Sequence, residues 1–201
     1  APFPWPHLWI SVDGGPRVEV PLDWHLRIDA GEGNHTVKVI YKSAAECQHR
    51  WHHPLVGRVA FLGYDAEGPA QLSPDPRKTI ELVGDSITEG HGCSSEETRF
   101  TSLIASQYGT ITRGYGIGGT RIAPQMNLPA GEVDRYYATR VDDMIPDADV
   151  VVVFGGTNDF GHGNAPFGNI QDMDERTFCG AYHHLCRKLI ARYPEAQLVI
   201  M

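Results

Sequence analysis

The chain lacks any apolar run long enough to cross a bilayer as a helix, and no secretion signal is visible in it, although a start at Ala1-Pro2-Phe3-Pro4 fits a processed or trimmed chain and leaves both a cytoplasmic and a secreted location open. Positive charge is scarce, with 17 Lys and Arg against 25 Asp and Glu and a formal net charge of -8. That balance argues against a broad nucleic-acid-binding surface, so neither a membrane nor a nucleic acid is expected as a partner. Cysteine is sparse too. Cys47, Cys93, Cys179 and Cys186 show neither the Cys-x-x-Cys spacing of a zinc site nor the density of a disulfide scaffold. Cys179 and Cys186, seven apart on an expected helix, share a face and read as small apolar groups. No cofactor motif occurs, and no metal is expected. His183 and His184 are adjacent, whereas helical metal ligands need a spacing of three or four.

What is present is an ordinary globular composition. The 201 residues, 41% hydrophobic and 21% charged, suffice for one large domain or two smaller ones. The organisation changes near residue 75. Before it, short alternating runs at Leu8–Val12, Val18–Val20, His35–Tyr41 and Val59–Gly63 are separated by glycine, proline and acidic turns, with Asp13-Gly14-Gly15-Pro16 as a hairpin turn. This pattern predicts a small antiparallel β domain over residues 1–74, packed on one face. A proline-bearing linker, Leu72–Lys78, leads into residues 79–201, where strands near 79–84, 110–112, 149–154 and 197–201 alternate with helices. The second part is therefore predicted to be α/β, a parallel sheet with helices on both faces. Phe178, Tyr182, Leu185, Leu189 and Tyr193 recur at helical spacing and give the helix from about Glu175 to Tyr193 one apolar face.

Three segments of the second part carry chemistry. In Ile80–Gly90 an apolar run ends abruptly in Gly84-Asp85-Ser86, which presents a serine at the end of a strand. Gly114–Thr120 and Gly155–Asp159 follow in order. A serine that attacks an ester carbonyl creates an oxyanion that preset donors must hold. Ser86 fits the nucleophile, and its own N–H, the N–H of Gly119 and the side-chain amide of Asn158 fit three converging donors. Glycine at 119 lets backbone approach the substrate. Asp85, Asp159, Arg121, His91 and His162 flank these segments and are the candidate substrate-binding residues. Asp85 reads chiefly as a brace for the loops around Ser86, because its side chain leaves the strand opposite its neighbour. Arg121 suits an acidic or hydroxyl-rich leaving group or a surface ion pair. His91 and His162 read as loop histidines bordering the pocket rather than as the base.

Gly84-Asp85-Ser86-Ile87-Thr88, Gly119 and Gly156-Thr157-Asn158-Asp159 resemble, in order, the first three blocks of the SGNH hydrolases, also called the GDSL esterase/lipase family. The resemblance covers about residues 79–201. It implies a flavodoxin-like sheet, Ser86 as nucleophile and Gly119 and Asn158 as oxyanion donors. The second block departs from the pattern in carrying Arg113-Gly114 where an asparagine often opens it. The family takes its base from an Asp-x-x-His segment near the end of the domain. No such segment is read after Asn158, and the chain closes on the apolar strand Gln197–Met201, so the domain reads as truncated at its C-terminus, with a later histidine expected as base. A small β-sandwich, jelly-roll-like, ahead of such a domain is similar to carbohydrate esterase family 2. In the first domain that likeness rests on Val12-Asp13-Gly14, Gly33–Val37 and Lys42–Glu46. In the second it rests on Lys78–Glu81 and Asn158-Asp159-Phe160.

The expected activity is hydrolysis of small acyl esters, with an O-acetylated sugar or polysaccharide as first substrate. An acyltransferase on the same site, or a non-catalytic carbohydrate-binding protein, are the alternatives. Trp5, Trp9, Trp24 and Trp51 all fall in the first domain, where core packing is the favoured reading over sugar stacking.

Overall fold

The computed structural model describes residues 7–21, 23–42, 62–71, 76–93 and 96–201. In the first part, β1 (His7–Val12), β2 (Val18–Pro21) and β3 (Val37–Lys42) form one antiparallel sheet in the order β2-β1-β3. Alternation sets its faces: Leu8 and Ile10 are buried while Trp9 between them is only half-buried. The hairpin turn has Asp13 and Gly14 at φ 51° and 73°, with the Gly15 N–H donating to the Val12 carbonyl at 2.9 Å. Two consecutive positive φ angles match the twist of the flanking strands. Asp13 also accepts from the Thr36 N–H at 2.8 Å, which ties the turn to the start of β3.

Trp24 departs from the expected core packing, being 88% exposed. It lies in the irregular segment after β2, where no strand alternation directs it to the sheet. Trp5, Trp51, Cys47, residues 59–61 of the fourth alternating run and residues 72–75 of the linker lie outside the described residues. Leu62 and Gly63, the rest of that run, are not in a strand.

The second part is a parallel four-stranded sheet of β4 (Thr79–Gly84), β5 (Ile111–Gly116), β6 (Val150–Phe154) and β7 (Gln197–Ile200). The strands run in the order β5-β4-β6-β7. Numbered by appearance this is 2-1-3-4, the flavodoxin-like order, in which the chain reverses direction across the sheet after its second strand. Parallel neighbours need crossovers. Two helices, α1 (Ser86–Glu89) and α2 (Phe100–Tyr108), join β4 to β5, and a 3₁₀ segment, Tyr137–Asp143, lies between β5 and β6. The helices α3 (Thr157–His162) and α4 (Phe178–Arg192) join β6 to β7.

Helices cover both faces. Val83, Val151 and Val153 share a buried core with Ala181, Leu185, Leu189, Tyr193 and the 3₁₀ residues Tyr137 and Val141. On the opposite face Phe100 of α2 meets Phe154 edge-on, ring centroids 5.8 Å apart. The predicted apolar face of α4 is the one that packs, and the helix is shorter than its pattern because Thr177 caps it, accepting from the Gly180 N–H at 3.1 Å. Cys179 and Cys186 are half-buried, and burial pushes the Cys186 thiol up.

β5 runs well beyond the predicted 110–112, because its polar centre is held by partners instead of by apolar burial. Arg113 sits beside Glu81 in the ladder and donates to its carboxylate at 2.7 Å. Glu81 is fully buried in the inner strand β4, and desolvation raises its carboxyl above the usual 4.5, opposed by Arg113. A raised folded value means that the folded state binds this proton more tightly than the unfolded chain. Glu81's contribution to stability is therefore full below pH 4.5 and declines as pH rises through the raised value. Urea midpoints measured from pH 4 to 8 should show this decline flattened in Glu81→Gln. An unchanged slope would remove Glu81 from that role.

Candidate active site

The carboxyl ends of β4, β5 and β6 converge because glycines permit backbone contact there. A Cβ at Gly84 would lie 2.0 Å from Thr88 Oγ1 and 2.8 Å from the Phe154 carbonyl oxygen, and one at Gly116 would lie 2.2 Å from the Glu89 nitrogen. The short helix α1 thus rests directly on the strand ends. Asp85 is buried and caps it, accepting from the Ile87 N–H at 2.9 Å. Gly90, left-handed at φ 89°, closes it by donating to the Ser86 and Ile87 carbonyls. Ser86 is the first residue of α1, held from both ends of one turn.

The segment after β5 forms a second turn. The Thr120 N–H donates to the Ile117 carbonyl at 3.2 Å, with Gly119 at φ 73° in the third position, where a type II turn requires a positive φ. This turn backs onto the serine, since a Cβ at Gly118 would lie 3.5 Å from that of Ser86. The Gly118 N–H donates to Glu89 Oε2 at 2.7 Å. From the end of β6, Asn158 reaches the same turn and donates from Nδ2 to the Thr120 carbonyl at 2.9 Å. A primary amide has two N–H bonds. One fixes the side chain here, and the second can serve a reacting oxygen. Ser86, Gly119 and Asn158 are in this way brought to one edge by contiguous contacts.

The other candidates divide. Asp159, like Asp85, spends its carboxylate on backbone, accepting from the N–H groups of Ile122 (3.0 Å) and Ala123 (2.9 Å). Burial raises its carboxyl, and those two bonds oppose the shift. Arg121 is buried, with its carbonyl accepting from the Tyr137 N–H at 2.9 Å. His91 and His162 are exposed; the N–H of His91 donates to the Ser86 carbonyl at 2.8 Å, and His162 ends α3. The expectation that no Asp-x-x-His spacing follows Asn158 is corrected by Asp159 and His162, which stand in it, but within α3, where the carboxylate is already committed to the 122–123 backbone.

Reading the motifs missed Glu89 and Arg140. Glu89 had a local signal, since it follows Ser86 by three and so lies one turn along any helix beginning there. His183 contacts the Asp172 carbonyl and His184 pairs with Glu175, and among the described residues no group of three or more His, Cys, Asp or Glu could hold a metal ion. No helix among them is long and apolar enough to cross a membrane.

A flavodoxin-ordered parallel sheet with these three segments at its carboxyl edge defines an SGNH-type α/β domain. Residues 82–201 match the GDSL-like lipase/acylhydrolase family, and the chain belongs to that family. No curated protein matches it. One solved structure is 37% identical, with a TM-score of 0.54, over 62% of this chain and 56% of its own length. A Lactobacillus plantarum protein is 28% identical, with a TM-score of 0.52, over 62% and 55%. A family two carbohydrate esterase from Clostridium thermocellum, solved with cellohexaose, shares the fold at 22% identity and a TM-score of 0.62, over 97% of this chain and 63% of its own. The chain thus spans a little over half the length of the first two structures.

Proposed function

We propose that the protein is a serine esterase that hydrolyses small acyl esters, acetyl esters of carbohydrates foremost. The observation that carries this reading is the seating of Ser86 against the Gly118-Gly119 turn, with Asn158 tied to the same turn. Ser86 Oγ attacks the ester carbonyl as a general base takes its proton. The oxyanion that forms is met by the N–H groups of Ser86 and Gly119 and by Asn158 Nδ2. Collapse expels the alcohol, which takes up the proton, and water then repeats the sequence on the acyl-serine. The carbohydrate preference is supported by the fold shared with the Clostridium thermocellum esterase over both parts of the chain. It is also supported by the exposed ring of Trp24, a flat face of the kind on which sugars stack.

The test is intact-mass analysis of the full-length protein after treatment with a fluorophosphonate probe. One adduct is expected on the wild type and none on Ser86→Ala. A wild type that takes no adduct, or a variant that still takes one, would overturn the assignment of Ser86.

A further inference from the structure

Arg140 is 3% exposed and makes no ion pair among the described residues. Its Nη donors go to the elements that build the site, while its buried Nε has no hydrogen-bond partner among those residues. Nη1 donates to the Gly84 carbonyl at 2.9 Å and to the Tyr115 carbonyl at 2.6 Å, and Nη2 donates to Thr120 Oγ1 at 3.2 Å. The guanidinium lies over the Tyr137 ring at 4.7 Å. Burial pushes it down to about 10, so it stays charged at neutral pH. Burying a cation is costly, and this one is compensated by two carbonyl dipoles, a hydroxyl and a ring face.

The Thr120 hydroxyl passes the interaction on, donating to the Ile117 carbonyl at 2.6 Å. Ile117 and Thr120 are the two ends of the turn that carries Gly119. Such a turn is sensitive to the orientation of its central peptide, whose rotation separates type I from type II and reverses the N–H at the third position. Two contacts fix the peptide that precedes it, the Ile117–Gly118 unit: Glu89 accepts from its N–H, and the Arg140–Thr120 relay holds its carbonyl.

We infer that Arg140, acting through the Thr120 hydroxyl, is the positioning residue that keeps the Gly119 N–H aimed at the oxyanion. This rests on the serine esterase reading above. A guanidinium suits the task because its planar fork reaches β4, β5 and the turn together, which the single ammonium of lysine does not.

The decisive variants are Thr120→Val, which keeps the shape and removes the hydroxyl, Thr120→Ser, which restores it, and Arg140→Lys. Rates are measured on the full-length protein per active site titrated with the fluorophosphonate, so that misfolded molecules do not count. Thr120→Val should lower kcat about 10- to 100-fold with KM within about twofold, less than or equal to the loss of a whole oxyanion donor. Thr120→Ser should recover most of it, and Arg140→Lys should fall between. An unchanged kcat in Thr120→Val, or an equal loss in Thr120→Ser, would overturn the relay. A wild type that fails to label is the failure of the esterase reading alone. The relay then stands or falls on the Gly119 amide, whose ¹⁵N shift and hydrogen-exchange rate should change in Thr120→Val and return in Thr120→Ser, and a shift and rate that stay at the wild-type values would sink it.

Discussion

Ser86→Ala is expected to lower kcat on an acetyl ester by on the order of 10⁵- to 10⁶-fold and to leave KM nearly unchanged, as loss of a serine nucleophile does elsewhere. Asn158→Ala should lose less, on the order of 10²- to 10³-fold, since two donors to the oxyanion remain. The asymmetry follows from the role proposed for each residue. Without the Ser86 hydroxyl no acyl-enzyme would form, whereas without the Asn158 amide the same intermediate would form over a higher barrier. Asn158→Ala also leaves the Thr120 carbonyl without its 2.9 Å donor, so a modest fall in stability, about 1 kcal/mol, should accompany it. Initial rates on p-nitrophenyl acetate and on an acetylated sugar would check both values. A Ser86→Ala protein within tenfold of wild type would mean that the nucleophile is another group.

Gly116→Ala should destabilise the protein by about 3 kcal/mol, at the upper end of the usual overpacking penalty. The new methyl would lie 2.2 Å from the Glu89 nitrogen, 2.7 Å from the Thr88 carbonyl carbon and 2.8 Å from the Asp85 carbonyl oxygen. All three are backbone atoms of the turn that holds Ser86, so no flexible side chain can give way, and α1 itself has to shift. Activity should therefore fall with stability. Gly114→Ala, on the same strand, is the control, because its methyl would meet only the Thr88 carbonyl oxygen, at 3.8 Å. Urea unfolding of the two variants side by side provides the measurement. A Gly116→Ala midpoint equal to that of Gly114→Ala would mean that α1 does not bear on the end of β5.

The parallel sheet was readable in its two inner strands, where burial on both faces makes Leu82–Gly84 and Val150–Phe154 short apolar runs, and the half-exposed edge strand Leu198–Ile200 carries a similar run. β5 was only partly readable. Thr112, Arg113 and Gly114 carry no hydrophobic signal, and the length of that strand comes from the ladder to β4 and the pair with Glu81. The three glycine-bearing segments stood out because each confines chemistry to a few neighbouring residues. The groups that lock them did not. Gly118 and Glu89 are 29 residues apart, and Arg140 lies 56 from Gly84, and no local pattern marks an arginine that closes such a distance. Trp24 misled for the opposite reason: its type favours burial, while its place in an irregular segment decides for exposure.

β4, one of the two inner strands of the parallel sheet, is also the first of the sheet's described strands to leave the ribosome. Leu82 and Val83 have no exposure in the finished protein. Both neighbours of β4 come later in the chain, and neither pairing is local. Synthesis therefore passes through an interval in which a bare apolar strand is open to pairing with other nascent chains. Translation speed and chaperone access during that interval therefore bear on how much of the chain reaches the folded state.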